Sequence, residues 1–310
     1  MLQTVSPGLR QFLASIPGLE GDIILPFKLL QSYFLHHPLG EGATGFVVAG
    51  TRNSDLAEVA VKFMFKDRVP MAQGGWKRDF ELGCVVPMEV FVMRRLEHDN
   101  IVRFYEVFED SVFVYIVMEA LEGDPAASNA SEDTTPALSR SDPLGFPTLR
   151  GPRSAAINVV GGKPGREPHA HFRRRAHSKD LFDYIEKKPR MAEGVARLIF
   201  KQIAEAVAYL HARGFVHRDI KDENVIIDDN MKVKLIDFGA ARHIPKNRTD
   251  YFADFVGTLT YAPPECIASS ETTVLEPHRG PEQDVWSLGV LLFVLLVSGG
   301  SLLACGWLIL

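Results

Sequence analysis

His217-Arg218-Asp219-Ile220-Lys221-Asp222-Glu223-Asn224 form one uninterrupted run, and thirteen residues after Asn224 comes Asp237-Phe238-Gly239. Between them the two segments supply a base, a cation and two oxygen donors for a hard metal ion. Asp219 can orient a hydroxyl and accept its proton, and Lys221 can sit on a transferring phosphate. Asn224 and Asp237 can hold magnesium against the phosphates of ATP. A lone His-Arg-Asp tripeptide would say little. The full spacing says much more, because the apolar runs between the halves (Val225-Ile226-Ile227, then Val233, Leu235 and Ile236) read as strands.

These groups need a nucleotide held above them. Leu39-Gly40-Glu41-Gly42-Ala43-Thr44-Gly45-Phe46-Val47 is a G-x-G-x-x-G-x-V loop. Dinucleotide-binding folds share its first part but continue into a helix after the third glycine. Here Phe46-Val47-Val48-Ala49 reads as a strand instead. Glu58-Val59-Ala60-Val61-Lys62 then alternates into a second strand expected to end at the lysine. Lys62 can grip the α and β phosphates; an edge-strand surface lysine is the bland alternative. Val86-Pro87-Met88-Glu89 opens a helix with Val92, Met93 and Leu96 at helical spacing, which makes Glu89 the expected ion-pair partner of Lys62. Glu81 is the rival, but it precedes Pro87 and hence the helix.

With strand, glycine hairpin, strand and lysine upstream of the two catalytic segments, the chain resembles a eukaryotic-type protein kinase. The resemblance implies an α+β, two-lobed fold, with an antiparallel sheet and one main helix in the N-lobe and a mainly helical C-lobe. It implies ATP and Mg2+ as cofactors and proteins with Ser or Thr acceptors as substrates. Leu39, Gly40, Gly42, Gly45, Val47, Ala60, Lys62, Glu89, Glu119, Leu121 and Ile226 would surround the nucleotide. Residues 119–121 would be the hinge facing adenine, and Met118 would gate the space behind it. Asn224 and Asp237 would be the metal ligands. Gly257-Thr258 precedes Tyr261-Ala262-Pro263-Pro264-Glu265, which departs by a proline from the commoner Ala-Pro-Glu. Thr258 would bond Asp219 and Lys221, the pattern of Ser/Thr rather than tyrosine kinases.

The same resemblance places Asp284, in Asp284-Val285-Trp286-Ser287-Leu288-Gly289, on backbone amides near His217, and stacks Met93, Phe104, His217 and Phe238 between the lobes. Arg218 would pair with a phosphate in the activation segment, where Thr249 and Tyr251 are the nearest acceptors. Asp180 and Glu223 match positions at which Arg-directed kinases hold a substrate arginine. Runs such as Lys234-Leu235-Ile236-Asp237-Phe238-Gly239 and Arg279-Gly280-Pro281-Glu282 are similar to the PAS-domain-regulated kinases of the calmodulin-kinase-like group. The first thirty residues are too few for a sensory PAS domain.

Composition fits this reading. The 310 residues are 46% hydrophobic and carry a net charge of −5, which gives no general attraction to nucleic acid. Cys84, Cys266 and Cys305 have neither a disulfide nor a metal-ligand pattern, and no secretory leader is read at the N-terminus. A cytoplasmic or nuclear setting follows as an expectation. We divide the chain into an extension (1–32), N-lobe and hinge (33–123), a Pro/Ser/Gly/Arg-rich insertion read as disordered (124–177), C-lobe (178–297) and an apolar tail (298–310). Arg173-Arg174-Arg175 in the insertion is either a targeting or anion-binding patch or a solvated, functionally silent charge run. Residues 285–310 carry no charge. The first part of that stretch is expected to be a core helix, buried all round in the intact fold, with a membrane span as the alternative. The C-lobe is expected to lack its last helices, so a non-catalytic nucleotide-binding scaffold is the competing functional class.

Overall fold

The structure, a computed structural model, describes residues 5–16, 24–70, 74–120, 179–188, 191–245, 252, 255–266 and 279–297. Leu121, Thr249, Tyr251, the 124–177 insertion and the 298–310 tail lie outside these residues. The first lobe is built on a five-stranded antiparallel sheet. Its strands are β1 (Tyr33–Gly42), β2 (Gly45–Arg52), β3 (Glu58–Phe65), β6 (Phe104–Glu109) and β7 (Phe113–Glu119), in the order β1-β2-β3-β7-β6. A hairpin of β4 (Trp76–Asp79) and β5 (Cys84–Pro87) leads into helix α3 (Met88–Met93).

Antiparallel sheets commonly leave one face in water; this one does not. Every residue of β3 after Glu58 is buried. Ala60 and Met64 face the core shared with α3, whereas Val59, Val61, Phe63 and Phe65 join a second core on the far side. The second core is aromatic: Phe46 stacks on Phe63 with ring centroids 4.7 Å apart, and Phe63 meets Tyr115 edge-on at 4.8 Å. It is roofed by α1 (Pro7–Ala14) and α2 (Phe27–Ser32), which insert Leu9, Leu13 and Leu29. Ser6 caps α1 by accepting the Leu9 N–H, and Pro7 needs no N–H at the first helical position. Residues 5–16 and 24–32 thus contribute to the lobe's hydrophobic core. The extra apolar face also corrects the expected end of β3. The strand runs three residues beyond Lys62, because Phe63, Met64 and Phe65 pair with Tyr115, Val114 and Phe113.

The second lobe contains the short helix α4 (Leu181–Glu186), the long helix α5 (Glu193–Ala212) and helix α6 (Gly280–Val297). Around them run the short strands β8 (Lys179–Asp180), β9 (Phe215–Val216), β10 (Val225–Ile227), β11 (Val233–Leu235) and β12 (Arg242–His243). Helix α5 buries Ala196, Ile199, Ile203, Ala206, Val207 and Leu210, and Gly214 ends it at φ 81°. Leu198 lies one step off that stripe and is 47% exposed. Helix α6 is long and apolar enough to cross a membrane by length and composition, yet half of it is buried in the fold. One face, with Asp284, Leu288, Leu291 and Leu295, packs inward, while Val285, Trp286 and Leu296 face outward. Among the described residues that outward face is exposed.

Leu9→Ala tests whether α1 belongs to the lobe's core. A fully buried leucine is expected to cost about 2–5 kcal/mol of unfolding free energy on truncation, read from urea denaturation. A loss under about 1 kcal/mol would mean that α1 is only laid against the sheet.

Candidate active site

β3 sends Lys62 to the inner face of the sheet, and α3 presents Glu89 from its first turn. Lys62 Nζ donates to both Glu89 oxygens, at 2.7 and 2.8 Å, and to Asp237 Oδ1 at 3.0 Å. Lys62 is 9% exposed and Glu89 3%. Burial disfavours the ammonium, but the carboxylates of Asp237 and Glu89 outweigh it and hold Lys62 above its ordinary pKa. Lys62 also depresses the Asp237 carboxyl well below its usual range. Burial pushes the Glu89 carboxyl upward, and Lys62 opposes that shift. Glu81 sits in the β4–β5 hairpin and bonds Arg94 at 3.3 Å, so it is no rival for Lys62.

The catalytic loop rests on α6. Asp284, fully buried, accepts the N–H groups of His217 at 2.9 Å and Arg218 at 2.7 Å, and also contacts His211 Nε2. Gln283 donates to the Arg218 carbonyl at 2.9 Å. Arg218 and Asp237 adopt positive φ, 70° and 61°. Such geometry costs a non-glycine residue about 1–3 kcal/mol and persists only where the surroundings impose it. Gly257, at φ 138°, lets the segment before Thr258 approach, since a Cβ there would lie 2.5 Å from the Arg218 carbonyl oxygen.

The result is a closed polar cluster. Thr258 Oγ1 donates to Asp219 Oδ1 at 2.8 Å and accepts from Lys221 Nζ at 3.0 Å. Asn224 Nδ2 donates to the carbonyl of Asp219 at 2.7 Å and to its Oδ2 at 2.9 Å. Lys221 lies 3.5 Å from Asp219 and 2.9 Å from Glu223. Burial opposes its charge, but these two carboxylates raise its pKa overall. His217 meets Phe238 edge-on at 5.0 Å, while Met93 and Phe238 share one core that Phe104 packs against.

Above this cluster the two lobes bring Leu39, Val47, Ala60, Met118 and Ile226 to the same core. Ala60 pairs with Met118 across β3 and β7, and Val47 pairs with Lys62 across β2 and β3. Gly40 opposes Val47 and Gly42 opposes Gly45 in the β1–β2 hairpin. At Gly45 a Cβ would fall 1.8 Å from the Phe63 carbonyl oxygen, so only glycine fits. Glu119 closes β7, but its side chain points to Lys234 at 2.7 Å and to the Arg103 N–H at 3.2 Å. Of the expected substrate contacts, Glu223 borders the catalytic cluster through Lys221. Asp180 accepts the Asp183 N–H at 2.7 Å and so caps α4.

This constellation can be compared with known proteins. The protein kinase domain profile matches residues 33–140 and 172–302. The chain belongs to the protein kinase domain family. It is 31% identical over 278 residues to the PAS domain-containing serine/threonine-protein kinase of Mus musculus, covering 90% of this chain and 15% of that protein. With serine/threonine-protein kinase PSK2 of Saccharomyces cerevisiae it shares 34% over 272 residues, 87% of this chain and 19% of the other. NUAK family SNF1-like kinase 1 of Mus musculus is 30% identical over 270 residues, 87% of this chain and 30% of the other. The chain therefore spans 15–30% of the length of these relatives.

Within this kinase domain several functional-looking residues escaped the sequence reading. Lys234, buried on β11, was seen only as part of a motif, because nothing local pairs it with Glu119, 115 residues earlier. The Arg218 guanidinium lies over the Phe252 ring at 4.5 Å, a contact no spacing rule predicts. Asp222 is buried beside Tyr261 in the catalytic loop. Burial pushes its carboxyl up to about 6, with the Tyr261 hydroxyl opposing and Glu223 reinforcing the shift. A carboxyl raised above its unfolded value keeps its proton in the native state after the unfolded chain has lost it. Stability is therefore lost as pH rises from about 4 to 6, by about 3 kcal/mol. Asp222→Asn is expected to remove that loss. Its stability advantage over wild type should widen between pH 4.5 and 6.5 in urea titrations, and an unchanged difference would contradict a native-state proton on Asp222.

Proposed function

We propose that this chain transfers the γ-phosphate of ATP to serine or threonine hydroxyls of proteins. The observation that carries this reading is the contact of one buried ammonium, Lys62, with Glu89 of α3 and Asp237 of the opposite lobe. It brings the phosphate-gripping cation and the metal-binding carboxylate to one edge of the cleft. Asp219 lies within a second cluster made for a hydroxyl. Each of its carboxylate oxygens already accepts one bond, from Thr258 or Asn224, and keeps a lone pair for the incoming O–H. Asp219 orients that hydroxyl and takes its proton, and Lys221 neutralises charge gathering on the transferred phosphate.

Magnesium suits the donors present. Both N–H contacts to Asp237, from Lys62 and Gly239, fall on Oδ1 and leave Oδ2 for another partner. Asn224 donates with its nitrogen, which keeps its amide oxygen as a hard ligand. Bound there, the ion would offset phosphate charge.

Asp219→Asn is expected to slow peptide phosphorylation by roughly 10²–10⁴-fold while magnesium–nucleotide affinity stays nearly unchanged. Radiolabelled phosphate transfer and nucleotide titration separate the two effects. More than half the wild-type rate in the variant would remove Asp219 from the mechanism.

We further propose a preference for arginine shortly before the acceptor. Glu223 supports it, with a carboxylate 38% exposed at the edge of the catalytic cluster, where a guanidinium can bind in bidentate fashion. Asp180 would assist in addition to capping α4. Peptide-library profiling is expected to show the preference in wild type and its loss in Glu223→Ala; an identical profile in both proteins would sink the idea.

A further inference from the structure

The segment joining the strand of Lys62 to the helix of Glu89 is the β4–β5 hairpin, and its contacts tie it to both. At its base the Met88 N–H donates to the Gly75 carbonyl at 2.8 Å, where α3 begins, and Trp76 pairs with Pro87. Trp76 Nε1 donates to the Val69 carbonyl, beyond the end of β3. Gly75 presses so closely on Pro70 that a Cβ would lie 2.1 Å from its carbonyl oxygen. At the tip stands Asp79, with 0% exposure. One of its oxygens accepts the turn N–H groups of Glu81 and Leu82, at 3.0 and 3.2 Å. The other receives Arg94 Nη1 at 2.7 Å and Arg95 Nη1 at 3.0 Å, from the residues that follow α3. Arg95 also bonds the Phe91 carbonyl and lies over its ring at 3.6 Å.

Helix α3 needs such help. It has six residues and no side-chain N-cap, and helices shorter than about 12–15 residues are marginal by themselves. Its start is bonded to the base of the hairpin and its end to the tip. We infer that Asp79 is a positioning residue that keeps Glu89 on Lys62 by clamping the end of α3 through Arg94 and Arg95. The carboxylate is suited to the task, because the two guanidiniums and the Leu82 N–H outweigh the cost of its burial and keep it ionised. With the clamp released, α3 is free to turn away from the sheet. Lys62 would then lose the partner that orients it, while the substrate-facing groups of the catalytic loop would be untouched.

This inference rests on the kinase reading for its activity arm only. The test compares wild type, Asp79→Asn, Asp79→Glu and Arg94→Gln with Asp110→Asn. Asp110 accepts the turn N–H groups of Val112 and Phe113 in the β6–β7 hairpin, and serves as a turn-capping control with no tie to α3. Backbone hydrogen exchange over residues 88–95 is measured together with kcat and KM for a peptide. Asp79→Asn should speed exchange in α3 at least tenfold and lower kcat at least tenfold, with peptide KM within twofold of wild type. Arg94→Gln should do the same more weakly and covers the case in which Asp79→Asn does not fold. Asp79→Glu should recover at least a third of kcat, and Asp110→Asn should leave both α3 exchange and kcat within twofold. The clamp is overturned if Asp79→Asn or Arg94→Gln leaves α3 exchange unchanged, or if Asp110→Asn lowers kcat as much as Asp79→Asn. A wild-type chain that transfers no phosphate would count against the kinase reading alone, since the exchange comparison still decides the role of Asp79.

Discussion

A buried ammonium cannot stand alone, and the arrangement around Lys62 follows from that constraint. Losing one partner of a buried ion pair typically costs about 3–5 kcal/mol. Lys62 therefore ties together elements that chain proximity does not join: Glu89, 27 residues on, and Asp237, 175 residues on. For the contact to exist, β3 must face the cleft, α3 must pack against the sheet, and the two lobes must close to bonding distance. The same three conditions create a site in which phosphates and a metal ion can be held.

The second anchor is Asp284, buried under the catalytic loop. Its two bonds to the His217 and Arg218 N–H groups stabilise a backbone that would otherwise avoid positive φ at Arg218. Because α6 also packs along α5, the loop is referenced to the main helical core of the lobe. Rigidity passes outward from there to Asp219, whose two oxygens are held by Thr258 and Asn224, residues from different segments. The strain in the loop is thus offset by an aspartate that takes no part in the chemistry.

The first lobe meets a different demand. Its sheet is apolar on both faces, so one face needs a cover, and α1 and α2 supply it. The aromatic layer beneath them reaches Phe46, next to Gly45 of the β1–β2 hairpin, where Phe12 of α1 meets it edge-on at 5.1 Å. Helix α1 therefore shares one aromatic layer with the β1–β2 hairpin.

Much of the site was legible because its chemistry is written in short segments with fixed spacing. The glycine loop, Lys62, the run from His217 to Asn224, Asp237 and Thr258 each declare a residue type that only one backbone arrangement can use. Glu89 was legible too, since Pro87 marks a helix start and the apolar spacing after it shows which side faces the sheet. Other features depend on pairs far apart in sequence. Lys234 with Glu119, Asp79 with Arg94 and Arg95, and the cover of α1 on the sheet leave no local pattern, because any exposed charge or amphipathic turn reads the same way. Leu198 and Val285 make the complementary point: hydrophobicity marks a residue that is able to be buried, but the direction in which a helix turns its face is decided by its neighbours. The sequence by itself determined the family and which residue types the cleft brings together. Tertiary structure alone decided which buried charges meet and which faces are covered, because burial and ion pairing are properties of residues brought together by folding.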